Sequence, residues 1–506
     1  MNAIQEVIHI MSNEDIKAFT MHLNKKNKRK DVHNIELFNF LISDDINAIK
    51  NSFIQEKTTN AYHALSKRLY DNLVEFMANR SFENDTNEEH EVLRLLVITR
   101  VFFEHKLNKS AFKCLAKAET KSIALEHFNL LNEIYHIQIQ YAHLNPVLPL
   151  DAVIEKFKAN KQKLDQEEQL NLGYALLRRE LTEIHHKGKI VDFQLFIKNT
   201  IESQGISIKE ILTFKSLYHI LFMANEYASI NSNYSLIEPF LTKSYAFINS
   251  KEDLAEKHSY YHIHILYLMA NIHFRNRRFD KAKVFLDKMM EQLQKQNSRY
   301  YSRFCLRYFL LRSLTDNYSG NPGNAVHIAE KALQQNKKAD PADINDLRLS
   351  LIVFHLQQDD GRSASKLMVA FNHSDSWYEK KMGMDWAIRK NLVEILMHTQ
   401  LEHTEFALSR IKSFKRHYKK YLLSVGEERA MVYVNLIEKY LLKPEVLTTP
   451  VFRNSVEVLL TATRSGLEDI FVISFLGWLL AKTQRKPIYE TTLDLLKNYF
   501  SPSHSA

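Results

Sequence analysis

The stretch that decides the fold is ANIHFRNRRFDKAKVFLDKMM, Ala270 to Met290. It contains two amphipathic segments with a short polar turn between them, and its small residues Ala270 and Ala282 are twelve positions apart. Two helices can cross closely only where their side chains are small, and bulky side chains then fill the space around the crossing. Phe285 and Met289 follow at helical spacing. The stretch therefore predicts a tight helical hairpin.

The same arrangement of small residues recurs four more times along the chain. Three later copies are centred on Ala325, Ala364 and Ala407, at offsets of 43, 39 and 43 residues from the copy before. An earlier copy contains Ala111 and Ala118. Recurrence at roughly regular spacing is the signature of a repeat array, whereas a single amphipathic pair is not. The variable spacing indicates divergent repeats whose helices or loops differ in length.

At these residues the chain resembles the tetratricopeptide repeat, a hairpin of about 34 residues. The packing positions of that pattern are occupied by Leu266, Met269, Ala270, His273, Ala282, Leu286 and Met289. His273 replaces the usual aromatic residue, and the terminal proline is missing. The resemblance implies a right-handed α-solenoid in which the first helix of each pair lines a concave groove. The opening of the chain has an LF element at Leu37 and Phe38 and a helix ALSKRLYDNL at Ala64 to Leu73, ahead of the array. With these features it also looks like a group of tetratricopeptide-like proteins of Bacteroidota-type bacteria.

Helices are predicted for the rest of the chain as well. Glycine and proline number only 10 and 9 among 506 residues, and no alternation of period two is sustained. The predicted divisions are an N-terminal helical cap over residues 1–80, divergent hairpin repeats over 91–260, tetratricopeptide-like repeats over 261–425 and C-terminal capping helices over 426–506. A cap is expected because the end of a stacked array has an apolar face without a neighbour. Residues 81–91 are predicted as a polar linker, and 150–164 and 167–189 as separate helices.

The composition favours the cytoplasm. The two cysteines, Cys114 and Cys305, are 191 positions apart, which fits a reducing compartment. The N-terminus lacks a basic segment followed by an apolar one, so we expect no secretory signal. The longest apolar run, Ile470 to Ala481, has 12 residues, which is too short to span a bilayer and typical of a buried core helix. We expect no membrane partner.

Motifs for catalysis and nucleotide binding are missing from the sequence. It contains no G-x-G-x-x-G, no G-x-x-x-x-G-K-[ST] and no H-E-x-x-H. Among 23 histidines, the pairs His185–His186 and His262 with His264 are candidates for metal ligands, but side chains at i and i+2 of a helix point in different directions. Surface and packing roles are the alternative. We expect no enzyme activity, no cofactor and no metal, although a catalytic site assembled from distant helices remains open.

Arginines and aromatic residues form the best candidate site. Arg299, Arg303 and Arg307 are spaced by four residues, which predicts one stripe along a helix. Arginine binds carboxylates and phosphates through paired hydrogen bonds. The family resemblance adds four residues of the groove, namely His264, Tyr267, Asn271 and Arg275. The alternative is that these arginines form salt bridges within the array beside an aromatic core.

The predicted function is a non-catalytic scaffold that holds a peptide or helix of a partner protein with acidic groups. The net charge of +9 favours acidic or phosphate-bearing partners but specifies none. A second hypothesis is a regulator that binds nucleic acid while the solenoid senses a peptide. Its phosphate contacts would come from a basic stretch near the N-terminus, Lys25, Lys26, Lys28, Arg29 and Lys30. A solvated loop is the alternative for this stretch.

Overall fold

The computed structural model describes residues 3–11, 13–26, 33–43, 59–84, 88–145, 147–187, 192–206, 213–230, 234–295, 298–337, 339–461 and 469–498. Within these ranges the chain forms helices and turns, without a β-strand. The prediction of an all-α protein is therefore confirmed. The chain divides into two compact units, Met1–Phe157 and Lys158–Ala506.

The first unit contains two apolar cores. Its helices are α1 Ala3–Ile10, α2 Asn13–Lys26, α3 His33–Ser43, α4 Thr59–Asn84, α5 Glu88–Glu104, α6 Asn108–Ala124 and α7 Phe128–Gln140. Phe19, Phe38 and Leu73 belong to a cluster that joins α1 to α4. A second cluster joins α5 to α7 and includes Leu115 and Ile134. The first four helices therefore have a core of their own.

The polar linker predicted at residues 81–91 is wrong in extent. Helix α4 continues to Asn84, and α5 begins at Glu88. The stretch is polar but contains neither glycine nor proline. Polar side chains are compatible with a helix that faces water. The polar composition of this stretch therefore did not mark where either helix ends or begins.

The boundary between the units lies within one long helix, α8 Leu150–Lys187. The prediction of separate helices at 150–164 and 167–189 is therefore wrong. The junction between them, residues 163–168, has no glycine or proline and no turn-forming cluster. A helix whose backbone hydrogen bonds meet no such break continues through a change in its apolar pattern.

The second unit continues as a series of helices. They are α9 Phe193–Ser203, α10 Phe214–Ile230, α11 Glu238–Ser250, α12 Glu252–Ala255, α13 Ser259–Arg275, α14 Phe279–Gln294, α15 Tyr301–Tyr318, α16 Pro322–Gln335, α17 Pro341–Gln357, α18 Gly361–Met368, α19 Asp375–Met382, α20 Met384–Gln400, α21 Thr404–Ser424, α22 Glu428–Leu442, α23 Pro450–Thr461, α24 Ile470–Gln484 and α25 Ile488–Asn498. One apolar core runs from Phe214 to Leu496.

Neighbouring helices pack as hairpins at each predicted repeat. The pairs are α5 with α6, α13 with α14, α15 with α16, α17 with α18, and α20 with α21. The first helices of consecutive pairs also contact one another from α13 through α15 and α17 to α20. The small residues predicted at the crossings are fully buried, namely Ala111, Ala270, Ala282, Ala325, Ala364 and Ala407. The prediction of packed helical hairpins is confirmed.

The five hairpins share one backbone turn. In each, the second residue before the second helix has a positive φ, and these residues are Lys106, Arg277, Gly320, Asp359 and Glu402. The next N–H then donates to the carbonyl five positions earlier, at 2.8–2.9 Å in all five turns. This pattern is a Schellman cap, which satisfies a free carbonyl at the end of the first helix. Glycine usually occupies the left-handed position, but four of these five turns place a longer side chain there.

Helix α24 is formed by the apolar run that was expected to be a buried core helix, and this prediction is confirmed. Trp478, for example, is 1% exposed. Both α24 and α25 pack against α17, in the middle of the series of hairpins. No helix among the described residues is long and apolar enough to cross a membrane.

Candidate binding surface

A band of aromatic side chains crosses the helices of the second unit. We call it the aromatic band, and its members are Tyr174, Tyr218, Tyr260, His264 and Phe304. The His264 ring is at its centre, with ring centroids 4.8 Å from Tyr218, 4.9 Å from Tyr260 and 4.6 Å from Phe304. The hydroxyls of Tyr174 and Tyr218 are 3.0 Å apart and share a hydrogen bond. The band thus links α8, α10, α13 and α15.

The aromatic band is only partly buried. Tyr174, Tyr218, Tyr260 and His264 are each partly exposed, whereas Phe304 is 1% exposed and anchors the band in the core. Rigid aromatic side chains with one exposed edge are common at the centres of protein interfaces, because they bury a large area at a small cost in conformational entropy. The band is therefore suited to contact with another molecule.

Three arginines surround the aromatic band. The Arg303 guanidinium is 5.0 Å from the Tyr260 ring centroid, and its Nη2 donates to the Tyr260 hydroxyl at 3.1 Å. The Arg178 guanidinium is 5.3 Å from the ring of Phe222. Arg307 donates from Nε to Oδ1 of Asp343 at 3.1 Å, and its side chain remains 44% exposed.

The charges of these arginines converge on His264. Burial, followed by the charges of Arg307, Arg303 and Arg178, lowers the pKa of His264 to about 3. The imidazole is therefore neutral at physiological pH and adds no further positive charge. Because several cations oppose protonation at this ring, the surrounding potential is positive and favours an approaching anion.

The predicted stripe of three arginines is shorter in the structure. Helix α15 begins at Tyr301, so Arg299 lies in the turn before it, with its guanidinium 5.5 Å from the Tyr300 ring. Only Arg303 and Arg307 share the stripe. Spacing alone could not reveal the start of the helix, because the residues before Tyr301 also follow the helical pattern.

The other predicted groove residues lie towards the C-terminal end of α13, and they contact parts of the chain itself. Asn271 donates to the side-chain oxygen of Asn225 at 3.2 Å. Arg275 donates from Nη1 to Oδ2 of Asp469 at 2.8 Å. Burial raises the pKa of the Tyr267 hydroxyl.

Arg275 pairs with Asp469 because Asp469 lies at the start of the C-terminal hairpin, which is formed by α24 and α25. Asp469 caps α24 by accepting from the N–H of Phe471 at 2.7 Å. One turn later, Ser474 shares a hydrogen bond with the Tyr318 hydroxyl at 2.7 Å and accepts from Gln357 Nε2 at 3.1 Å. Through these contacts, α24 and its cap are bound to α13, α15 and α17. Of the predicted site residues, therefore, only His264, Arg303 and Arg307 lie in the aromatic band or beside it. The others lie towards the end of α13 or in the turn before α15.

No protein-family model, curated protein or solved structure matches this chain. Its own hairpins, however, resemble one another in their buried small residues and in the turn that they share.

Several members of the surface were missed by the sequence analysis. They are Tyr174, Arg178, Tyr218 and Tyr260. A signal was present, because Tyr174 with Arg178 and Tyr260 with His264 are each spaced by four residues and share a helix face. The weak repeat pattern of α8 and α10 gave no indication that these faces would meet.

The basic N-terminal stretch is described only in part. Lys28, Arg29 and Lys30 lie outside the described residues. Lys25 is exposed at the end of α2, whereas Lys26 donates to Glu75 Oε2 at 2.6 Å and to Asn72 Oδ1 at 3.0 Å.

Histidines and carboxylates were also considered as chemical groups. His262 is buried against Phe214, with ring centroids 5.6 Å apart, and the side chains of His185 and His186 lie outside the described part. No group of three or more potential metal ligands occurs in the described ranges. Asp346 is a carboxyl with a clearly perturbed pKa, since burial raises this pKa to about 6 while Asp346 accepts from Trp386 Nε1 at 2.8 Å. It lines neither of two cavities in the described structure.

Proposed function

We propose that this chain is a non-catalytic scaffold, a solenoid of tetratricopeptide-like hairpins that holds an acidic segment of a partner protein. The five hairpins with one shared turn, and the contacts between successive first helices, support the repeat architecture. The two unpaired cysteines support a cytoplasmic location.

The observation that carries the proposal is the aromatic band with its three arginines. Tyrosine and arginine are enriched among the residues that contribute most to protein interfaces. Arg178 and Arg303 are exposed, and each can turn towards a ligand by giving up a cation–π contact and, for Arg303, also the hydrogen bond to the Tyr260 hydroxyl. A carboxylate gains a charge-assisted hydrogen bond from each of them. The segment expected to bind therefore combines acidic residues with apolar or aromatic ones.

The position of the C-terminal hairpin restricts where the partner binds. Arg275 already pairs with Asp469, and Tyr318 and Gln357 contact Ser474. These side chains already bind α24 and its cap within the same chain. The proposed partner surface is therefore the aromatic band and not the whole face formed by the first helices.

The proposal can be tested with a displayed library of random peptides of about 12 residues, a length that covers several helix faces. We expect selection on the native chain to enrich peptides rich in Asp and Glu. The variant Arg178→Gln/Arg303→Gln should bind the selected peptides at least about tenfold more weakly, because each charge-assisted contact contributes about 1–3 kcal/mol.

A matched control distinguishes this surface from general positive charge. Arg362→Gln/Arg453→Gln removes two exposed arginines elsewhere in the same unit and should leave the affinity unchanged. Enrichment of neutral or basic peptides, or equal binding to both double variants, would contradict the proposal.

A further inference from the structure

A half-open cavity of about 350 Å³ lies between α11 and the α13–α14 hairpin. No member of the aromatic band lines it. Its volume is at the lower end of the range of about 300–1,000 Å³ that is typical of small-molecule sites. The cavity is thus large enough for a compact organic molecule and too small for a folded segment of a partner.

The lining of the cavity is positively charged. Arg278, Lys281 and Lys288 all line it, and none of the described residues that line it is a carboxylate. Lys288 Nζ donates to the Tyr245 hydroxyl at 3.2 Å and lies 4.7 Å from the centroid of that ring. This hydrogen bond lowers the pKa of Tyr245. The charges of Lys281 and Lys288 favour an anion at this site.

His273 gives an independent indication of a ligand. It lines the cavity and is only 6% exposed, and its ring stacks on Phe285 with centroids 5.3 Å apart. Its Nδ1 is buried and has no hydrogen-bond partner in the described part of the chain. An unpaired buried polar atom destabilises the folded chain, and a ligand that supplies the partner removes this cost.

The identity of residue 273 strengthens this point. A phenylalanine at this position would fill the same space without a nitrogen. Burial, followed by the charges of Lys281 and Arg278, lowers the pKa of His273 to about 4. The imidazole is therefore neutral and offers one donor and one acceptor.

Apolar surface completes the site. Leu241 and Met269 are buried in its lining, and Phe285 packs edge-on against Tyr245 with ring centroids 6.1 Å apart. Val284 also lines the cavity and is 52% exposed. A flat apolar group placed here would cover Val284 and lie beside Tyr245, which is 41% exposed, close to the cations.

We propose that this cavity binds a small organic anion that combines a planar ring with a carboxylate or phosphate group. The ring packs against Val284 and Tyr245. The anionic group pairs with Lys281 and Lys288, and a polar atom of the ligand bonds to His273 Nδ1.

Ligand-observed NMR and calorimetry on the full chain test this proposal with three probes: benzoate, phenyl phosphate and the uncharged benzyl alcohol. We expect at least one of the two anions to bind with a Kd of about 1 mM or tighter, and benzyl alcohol to bind about tenfold more weakly or worse. The stronger anion identifies the acidic group. Equal binding of benzyl alcohol, or no binding of either anion up to about 10 mM, would overturn the proposal.

Variants locate the binding in this cavity. Lys281→Gln/Lys288→Gln should weaken the bound anion about tenfold or more, and Lys366→Gln, an exposed lysine on α18, should not. His273→Phe keeps a ring against Phe285 but removes Nδ1, so it should also weaken binding while the chain remains folded by circular dichroism. Unchanged affinity in the double lysine variant would refute the site. None of these results depends on the peptide surface.

Discussion

Replacing Asp469 with Asn should loosen the C-terminal hairpin while its helix cap is retained. Asn caps helices about as well as Asp does. The change removes only the negative charge that pairs with Arg275 at 2.8 Å and lies 3.6 Å from Arg389. The effect therefore measures how strongly these two arginines hold α24 against the first helices.

The magnitude follows from the pKa of Asp469. Burial alone would raise this pKa, but the charges of Arg275 and Arg389 outweigh burial and lower it from 3.8 to about 2. This difference corresponds to about 2 kcal/mol of stability at neutral pH. Because the pKa is lower in the folded state, the contribution is present above about pH 4 and is lost as the pH falls towards 2.

Hydrogen exchange measured by mass spectrometry over α24 is the appropriate assay. A loss of about 2 kcal/mol predicts roughly 30-fold faster exchange of α24 in Asp469→Asn at pH 7. Asp192→Asn is the matched control, because Asp192 caps α9 through the N–H of Leu195 without an ion pair in the described part of the chain. It should change exchange in α9 very little. Equal exchange of α24 in the native chain and Asp469→Asn would refute the reasoning.

Two further predictions concern backbone positions. Gly477→Ala should destabilise the chain by about 1–3 kcal/mol in urea unfolding, since a Cβ there would lie 2.3 Å from Thr492 Oγ1 and 3.1 Å from its Cα. Gly323→Ala, with no atom within 4 Å of the new Cβ, should be neutral or stabilising, and equal effects of the two changes would contradict the packing of α24 on α25. Lys106→Gly should stabilise by about 0.5–1 kcal/mol because Lys106 has a φ of 59°. Lys109→Gly within α6 should instead cost about 1 kcal/mol, and a loss of stability in Lys106→Gly would argue against the shared turn.

The hairpins could be predicted because their requirement is local. A close crossing needs small residues at fixed positions, and Ala270 and Ala282 are both fully buried there. The turn between the two helices of each hairpin was harder to predict from the sequence. A search for glycine finds Gly320 but misses turns such as those at Arg277 and Asp359, where the left-handed residue carries a long or charged side chain.

The candidate site could be predicted only in part, because its contacts join distant parts of the sequence. Arg275 pairs with Asp469 from 194 positions away, and no periodicity reports such a contact. The aromatic band likewise joins Tyr174 to Tyr218 across 44 positions. Arg303 and Arg307 were found because their spacing on one helix is itself the signal, and His264 was found through the family resemblance. The role of these residues in binding a partner remains a prediction.

We propose that the aromatic band and its arginines bind an acidic partner protein. The most direct measurement is quantitative capture from the lysate of the cells that make this chain, with and without nuclease, on three baits: the native chain, Arg178→Gln/Arg303→Gln and Arg362→Gln/Arg453→Gln. We expect the native chain to recover one protein equally from both lysates. Arg362→Gln/Arg453→Gln should retain this protein, whereas Arg178→Gln/Arg303→Gln should recover much less of it. Recovery that requires intact nucleic acid and is lost when Lys25 to Lys30 are neutralised would contradict the proposal and favour the nucleic-acid-binding regulator.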